Sequence, residues 1–319
     1  MPVTSSQQFP IKPFRFGIQA SSQPDRKSWI DLAKRTEAAG FDVLTMPDHF
    51  TDQLAPVPAL MSVADATTNL RVGALVWDND YKHPVVLAKE LATMDLLSDG
   101  RLELGIGAGW MISDYEQSGI PYDRAGLRIE RMIEGIDVMK GCFAEGAFSY
   151  SGKHYTITNY DGTPKPLQAP CPPILIGGGG KRVLTYAAQV ADIIGINATM
   201  SAGAVGPEAI STMTAQAVDE KVDIVRDAVG TRLNHVEMNI RAFLVNITDD
   251  AVGAISRLSA AMGVEESMVA ETPFALMGPP SKLIEDLIAR RERWGFSYVI
   301  VGGEDIEKFA PVVAALSGK

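Results

Sequence analysis

Short apolar runs alternate along the chain with longer segments in which apolar residues recur every three or four positions. The first run, over residues 14–20, is followed by an amphipathic segment over 25–39 that Gly40 ends, and the next apolar run begins at residue 41. Such alternation is typical of α/β proteins, in which a helix follows each parallel strand. The pattern predicts strands over 14–20, 41–46, 70–77, 101–106, 173–176, 192–196, 236–247 and 296–301.

The segments between these strands are mostly helical in pattern, with helices predicted over 25–39, 84–97, 123–142, 181–190, 207–229 and 280–294. Residues 146–170 are expected to form a hairpin excursion, and residues 1–13 a flexible N-terminus. Eight strands with following helices and no linker favour one α/β domain over residues 1–319, a (β/α)8 TIM barrel with insertions. A two-domain dinucleotide-binding arrangement is the alternative.

Composition limits the classes of partner. The chain has no apolar run long enough to span a membrane and its first residues lack the apolar core of a secretory signal, so we expect a cytoplasmic protein without membrane contact. With 39 acidic and 29 basic residues, the net charge of −10 disfavours nucleic acid as a partner. The two cysteines and the lack of a metal-binding motif indicate neither a disulfide framework nor a metal site. A small-molecule substrate is the expected partner.

A glycine-rich segment, Gly105–Trp110, directly follows a predicted strand, which is where dinucleotide-binding folds place a glycine-rich turn. It departs from their fingerprint because Trp110 stands where close helix packing needs a small residue. In a barrel the same segment lies at the carboxyl-terminal rim, where Gly107 and Gly109 would let a flat ring approach the backbone. The alternative is a tight loop without a ligand.

A second glycine run, Gly177–Gly180, lies between a predicted strand and a helix and is followed by Lys181 and Arg182. Free backbone N–H groups and two cations therefore meet at one place, which is the chemistry of an anion site. The run is no Walker motif, because Arg182 stands where serine or threonine is required. We expect it to bind a phosphate.

Asp48 and His49 directly follow the second predicted strand, and catalytic groups of barrels lie at such strand ends. Histidine titrates near neutrality and is therefore suited to exchange a proton. Further carboxylates are expected at the same rim, since Asp78, Asp80 and Asp114 also lie in segments that follow strands. No GxSxG motif supports a serine nucleophile, and no spacing pairs the carboxylates for glycoside hydrolysis.

Several of these segments occur together in one known group of proteins. They are Met46–His49, Arg71–Gly73, Asn79–Pro84, Leu91–Arg101, Glu103–Trp110 and Pro173–Gly179. In this combination, which covers almost the whole chain, the sequence resembles the bacterial luciferase-like superfamily and, within it, the oxidoreductases that use the deazaflavin coenzyme F420.

The resemblance implies a TIM barrel, a homodimer and a cofactor held at the carboxyl-terminal rim. It implies that Asp48 and His49 lie beside the deazaflavin ring, that a non-prolyl cis peptide occurs within Ala74-Leu75-Val76, and that the Gly177–Gly180 loop takes a phosphate of the cofactor. The cofactor-binding residues expected on this basis are Asp48, Ala74, Leu75, Val76, Asp78, Gly107, Gly109, Ser113, Gly177, Gly178, Gly179, Gly180, Lys181 and Arg182.

One departure concerns the substrate. The sugar-phosphate dehydrogenases of the group carry a glutamate where this chain has Trp110, so sugar-phosphate oxidation is disfavoured and an apolar substrate is favoured. The resulting prediction is an F420-dependent oxidoreductase in which His49 exchanges a proton, Asp48 orients its neighbours and Trp110 forms a wall of the pocket. An FMN-dependent monooxygenase and a cofactor-binding protein without turnover are the alternatives.

Overall fold

The computed structural model describes residues 8–319, and within this range parallel strands form a closed barrel surrounded by helices. The strands are β1 (Arg15–Gln19), β2 (Val43–Met46), β3 (Arg71–Ala74), β4 (Trp77–Asp78), β5 (Leu102–Gly107), β6 (Phe148–Ser151), β7 (Thr156–Tyr160), β8 (Ile174–Gly178), β9 (Ile193–Ile196), β10 (Glu237–Arg241), β11 (Leu244–Ile247), β12 (Ala275–Gly278) and β13 (Phe296–Gly302). The predicted (β/α)8 barrel is confirmed.

Most of the helices lie between consecutive barrel strands and pack on the outside of the sheet. They are α1 (Arg26–Ala38), α2 (Pro56–Ala66), α3 (Pro84–Leu97), α4 (Ile112–Ser118), α5 (Ala125–Phe143), α6 (Lys181–Val190), α7 (Pro207–Ser211), α8 (Ala215–Val229), α9 (Ala251–Met262), α10 (Glu266–Glu271), α11 (Pro280–Trp294) and α12 (Ile306–Leu316). In the part of the chain that the structure describes, no helix is both long and apolar enough to cross a membrane.

Barrel closure depends on an interrupted third strand. The neighbours run in the order β3-β2-β1-β13-β10-β9-β8-β5-β4, and β3 also pairs with β5, so β3 and β4 act as two parts of one strand and close the ring. The predicted strand over 70–77 is therefore wrong in its middle, where Leu75 and Val76 leave the ladder and are joined by the expected non-prolyl cis peptide.

Two other predicted elements are divided. The strand over 236–247 ends at Arg241, and β11 then pairs with β12 in a separate two-stranded parallel sheet. The helix over 207–229 is broken into α7 and α8, with Thr214 capping α8 by accepting a hydrogen bond from the N–H of Ala217. The hairpin within residues 146–170 consists of the antiparallel strands β6 and β7.

The described residues form three apolar clusters: two cover the two faces of the barrel strands, and the third packs α9 on the β11–β12 sheet. The larger cluster lies between sheet and helices, whereas a smaller one inside the barrel comprises Val43, Leu175, Ile193, Tyr298 and Ile300, with Leu75 and Val76 packed against it. Of the expected flexible N-terminus, residues 1–7 lie outside the described residues. Phe9, by contrast, is buried.

Candidate active site

The carboxyl ends of the barrel strands bring polar side chains together at one mouth. Gln19 ends β1, Asp78 ends β4 and Arg241 ends β10, while Asp48 and His49 follow β2 after Pro47. Because all barrel strands run parallel, these positions share one rim. The structure therefore assembles the predicted Asp48, His49 and Asp78 at a single site and adds Gln19 and Arg241.

His49 is held by a buried carboxylate. Its Nδ1 lies 2.6 Å from Oδ2 of Asp114, whose side chain is only 2% exposed, against 20% for His49. In the tautomer in which Nδ1 carries the hydrogen, the ring donates this bond to the carboxylate. Proton exchange at His49 is therefore left to Nε2, on the other side of the ring.

Asp114 also organises the backbone and an aromatic neighbour around His49. Its Oδ1 accepts a hydrogen bond from the N–H of Phe50 (3.1 Å), and its Oδ2 accepts one from the hydroxyl of Tyr81 (3.0 Å). Burial and the surrounding carboxylates raise the pKa of Tyr81, which keeps its hydroxyl a donor. Asp114 thus fixes three groups. The sequence indicated only that Asp114 lies near the rim.

Aromatic rings line the same side of the mouth. The ring of Trp110 meets that of His49 edge-on, with centroids 5.6 Å apart, and Tyr122 donates a hydrogen bond to the Trp110 carbonyl. The rings of Phe50 and Tyr81 lie 4.5 Å apart, and Phe50 is 49% exposed. The Trp110 ring thus lies beside His49, and its role as a wall of the pocket stays a prediction.

Asp48, Asp78 and Asp80 form a chain of hydrogen-bonded carboxylates and backbone groups. Oδ2 of Asp48 accepts from the N–H of Asp78 at 3.2 Å, and Oδ1 of Asp78 accepts from the N–H of Asp80 at 2.9 Å. Burial raises the pKa of Asp48, and it raises the pKa of Asp78 from 3.8 to about 7. Asp78 is therefore half protonated near neutrality.

Tyr115 and Arg131 complete this cluster and were missed by sequence reasoning. The Tyr115 hydroxyl donates to Oδ2 of Asp78 (2.8 Å), and two guanidinium nitrogens of Arg131 bind the carboxylate of Asp80 at 2.7 and 2.8 Å. Both residues lie in the region of α4 and α5, so only the folding of these helices over the mouth brings them to the strand ends. Within residues 8–319 no cluster of His, Cys, Asp or Glu is arranged to hold a metal ion.

Gly107, the last residue of β5, and Gly109, just after it, have a packing role. A Cβ at Gly107 would lie 2.5 Å from a methyl group of Val76, and one at Gly109, whose φ is +71°, would lie 1.8 Å from the Tyr115 hydroxyl. These glycines therefore admit protein groups. The approach of a flat ring to them stays a prediction.

The β8–α6 turn, Gly177–Gly180, has the features of an anion site. Gly180 caps α6, no side chain caps the first turn, and a Cβ at Gly180 would meet nothing within 4 Å. Lys181 is exposed at the start of α6, whereas Arg182 turns away toward the carbonyl of Gly126 and the carboxylate of Glu130. The structure thus groups the glycines and Lys181, and directs Arg182 to α5.

Ser113 lies in the first turn of α4, next to Asp114 and partly buried. Ala74 is the last residue of β3 and is buried, with Leu75 and Val76 following it toward the mouth. These predicted cofactor-binding residues therefore lie around the same rim as His49.

The family model described as luciferase-like monooxygenase matches residues 11–298. The chain belongs to the luciferase-like monooxygenase family. Among curated members it is 28% identical over 240 residues to an FMNH(2)-dependent dimethylsulfone monooxygenase of Pseudomonas putida, covering 72% of this chain and 62% of that protein. It is also 28% identical over 193 residues to an F420-dependent glucose-6-phosphate dehydrogenase of Amycolatopsis mediterranei, covering 56% of each. The chain thus spans less than two thirds of the length of these relatives.

Several solved structures share the fold over almost the whole chain. An F420-dependent tetrahydromethanopterin reductase from Methanopyrus kandleri superposes with a TM-score of 0.77 at 17% identity, covering 95% of this chain and 98% of that one. A long-chain alkane monooxygenase has a TM-score of 0.75 at 15% identity, covering 95% and 92%. A reductase described as F420-dependent and an alkane monooxygenase therefore share this barrel, and the curated relatives are oxidoreductases or monooxygenases.

Proposed function

We propose that the protein is an F420-dependent oxidoreductase that transfers a hydride between the deazaflavin and a small organic substrate. The observation that carries the proposal is the His49–Asp114 pair at the mouth, because it supplies a fixed proton-exchanging group beside an aromatic wall. Hydride transfer to or from a carbonyl or alkene carbon needs such a proton at the neighbouring atom. The deazaflavin, when bound, supplies the hydride chemistry.

The residues around the mouth fit a phosphate-bearing planar cofactor. The uncapped N-terminus of α6 and the open space at Gly180 suit a phosphate, with Lys181 as the nearby cation. Val76, which packs over Gly107, and the interior cluster beneath it offer an apolar floor for a ring. The ring would be bordered by Asp48, Asp78, Gly109 and Ser113. Arg182 would hold the turn against α5 through its bonds to Gly126 and Glu130.

In this proposal the protein groups orient the reactants and move one proton. Nε2 of His49 gives a proton to the substrate oxygen or takes one from it, while Asp114 holds Nδ1 and stabilises the charged ring. Asp48, anchored by the N–H of Asp78, keeps the strand end in place. Trp110 excludes water and contacts an apolar part of the substrate.

Separate titrations with F420 and FMN test the choice of cofactor. We expect F420 to bind the purified protein tightly and reduced F420 to be oxidised by members of a panel of apolar aldehydes, ketones and enones. Tight binding of FMN alone would overturn the proposal. Binding of F420 without turnover on any panel member would favour a cofactor-binding protein.

One observation favours an FMN-dependent monooxygenase as the second candidate, namely the match to the dimethylsulfone monooxygenase over 72% of this chain. Oxygen activation requires the ring nitrogen that deazaflavin lacks, so the two chemistries are separable. Oxygen consumption that depends on reduced FMN and substrate would select this candidate. We also propose a cytoplasmic homodimer, which cell fractionation and light scattering test.

A further inference from the structure

Arg241 lies at the barrel mouth at the end of β10, which β9 separates from β8 and the Gly177–Gly180 turn. It is the last residue of β10, and its Nε donates a hydrogen bond of 3.1 Å to Oε1 of Gln19 at the end of β1. Since β13 lies between β10 and β1 in the sheet, this bond spans a whole strand. The guanidinium group is therefore held along the carboxyl-terminal rim, over the end of β13.

Gln19 fixes the orientation of this arginine. Its Nε2 donates to the carbonyl of Leu75 at 3.0 Å, so its Oε1 is left to accept from Arg241. The guanidinium Nη1 bonds to the carbonyl of Ala242. A guanidinium group has five N–H donors, and within residues 8–319 its Nη2 has no acceptor. Donors thus remain for a ligand at the mouth.

The charge of Arg241 is unpaired at short range. In the described part of the chain no carboxylate oxygen lies within 4.0 Å of its guanidinium nitrogens, and Glu304 and Asp305 act on it only from farther away. Burial lowers the pKa of Arg241 to about 10, against the opposing effect of these two acids. A partly desolvated cation without a partner is costly, and a bound anion relieves that cost.

An apolar surface lies next to this cation. The ring centroid of Phe243 is 5.2 Å from Cζ of Arg241, and Phe243 is 44% exposed while its ring stacks on that of Phe274. A ligand bound to the guanidinium group would therefore rest on an aromatic side chain. Because Glu304 and Asp305 are near this cation, a singly charged group is favoured over a phosphate dianion.

We propose that Arg241 binds a carboxylate of the substrate, so that the enzyme acts on apolar compounds carrying a carboxylate group. This assignment rests on the proposed function, since it identifies the substrate class of the same mouth. The bidentate geometry of a guanidinium group matches a carboxylate and would fix one end of the substrate. The other end would then lie toward His49 and Trp110.

Calorimetric titration of the purified protein with benzoate tests the assignment, with benzamide as a neutral ligand of the same shape. We expect benzoate to bind, benzamide to bind at least about tenfold more weakly, and Arg241→Gln to weaken benzoate by a similar factor. The control is Arg35→Gln, because Arg35 forms an exposed ion pair with Glu307 on the outer surface. This substitution should leave benzoate binding unchanged. Glu304→Gln should strengthen it, since a competing carboxylate is removed.

Benzoate binding that is absent from the wild type, or equal in Arg241→Gln and the wild type, would overturn the assignment. If Arg241→Gln fails to fold, Arg241→Lys replaces it. Lysine keeps the charge but loses the bidentate geometry of the guanidinium group, so the affinity for benzoate should fall less than in Arg241→Gln. Weakened F420 binding in the variant would mean that Arg241 binds an anionic group of the cofactor instead of the substrate, and would overturn the proposal. Benzoate is titrated without cofactor, so a protein that binds benzoate through Arg241 but not F420 would refute only the proposed function.

Discussion

Both ends of the barrel bury charged side chains, but arginines pair with the buried carboxylates mainly at the amino-terminal end. At the amino-terminal end Glu103 accepts from Arg15 (2.5 Å), Arg71 (2.9 Å) and Tyr298 (3.2 Å), and Glu237 accepts from Arg15 as well. Burial acts to raise the pKa of Glu103, yet the two arginines outweigh it and hold that pKa below its ordinary value. This end is a satisfied network.

The carboxyl-terminal mouth instead has more carboxylates than cations at hydrogen-bond distance. Arg131 pairs with Asp80, while Asp48 and Asp78 accept mainly neutral donors and have raised pKa values because of burial. Raised pKa values and unpaired polar groups concentrate where proteins carry out chemistry. The contrast indicates that the first end stabilises the fold and the second holds the reactive groups.

The largest effect is expected at the amino-terminal network. Glu103→Gln leaves two guanidinium groups against one remaining glutamate inside the barrel, and we expect the free energy of unfolding to fall by about 3–5 kcal/mol. Urea unfolding followed by circular dichroism measures this change. Glu307→Gln at the exposed pair with Arg35 is the control and should cost less than about 1 kcal/mol.

Below its unfolding transition, Glu103→Gln should bind F420 with unchanged affinity. A loss of cofactor affinity in the folded variant would mean that the two ends are coupled, and the division between them would then fail.

The next largest effect is expected at the mouth. His49→Ala removes the proton-exchanging group, and we expect turnover to fall by about 10²–10³-fold while F420 binding and stability change little. Steady-state oxidation of reduced F420 with a substrate found in the panel measures it. His235→Ala, an exposed histidine outside the mouth, is the matched control. Full turnover in His49→Ala would remove His49 from the reaction.

The comparison also explains which features sequence could predict. Asp48 and His49 could be placed at the rim because they follow the second predicted strand after one proline, and Trp110 because it ends the glycine-rich segment after the fourth. Strand ends of a parallel barrel meet at one rim. The alternation of apolar runs and helices likewise favoured the barrel over the two-domain arrangement, since each element is short and local in pattern.

Features that depend on tertiary contacts or element ends escaped prediction. The bond between His49 and Asp114 joins residues 65 positions apart and depends on how α4 folds over the mouth. Arg241 was missed because the strand was predicted to run over 236–247, which placed this residue in the middle of a strand. The structure ends β10 at Arg241 and so places it at the rim. Glu103 and Arg15 lie within strands, where no local pattern shows that they face each other.

A smaller effect is expected from the raised pKa of Asp78. Its folded pKa of about 7 lies above the ordinary 3.8, so the folded protein holds this proton more tightly than the unfolded chain does. The associated stability is fully present below about pH 3.8 and is lost as the pH rises through about 7. Asp78→Asn, which mimics the protonated form, should therefore exceed the wild type in stability at pH 8 by about 2–4 kcal/mol.

Urea unfolding of both proteins at pH 5 and pH 8 measures this difference. The advantage of Asp78→Asn should be larger at pH 8 than at pH 5, and equal differences at the two pH values would show that Asp78 titrates in the ordinary range. Asp123→Asn, at a half-exposed carboxylate beside Arg131, is the control for loss of one negative charge.

The smallest effect is expected from Asp114→Asn. The amide keeps the shape of the side chain but not the charge that stabilises the protonated His49 ring, so we expect turnover to fall about tenfold with F420 affinity unchanged. The pH profile of kcat separates this positioning role from a structural one. It should change in Asp114→Asn but not in Tyr81→Phe, which removes only the Tyr81 hydrogen bond to Asp114. Equal profiles in both variants and the wild type would assign Asp114 to the structure of the loop, and the mouth would then contain one reactive residue fewer than its buried carboxylates suggest.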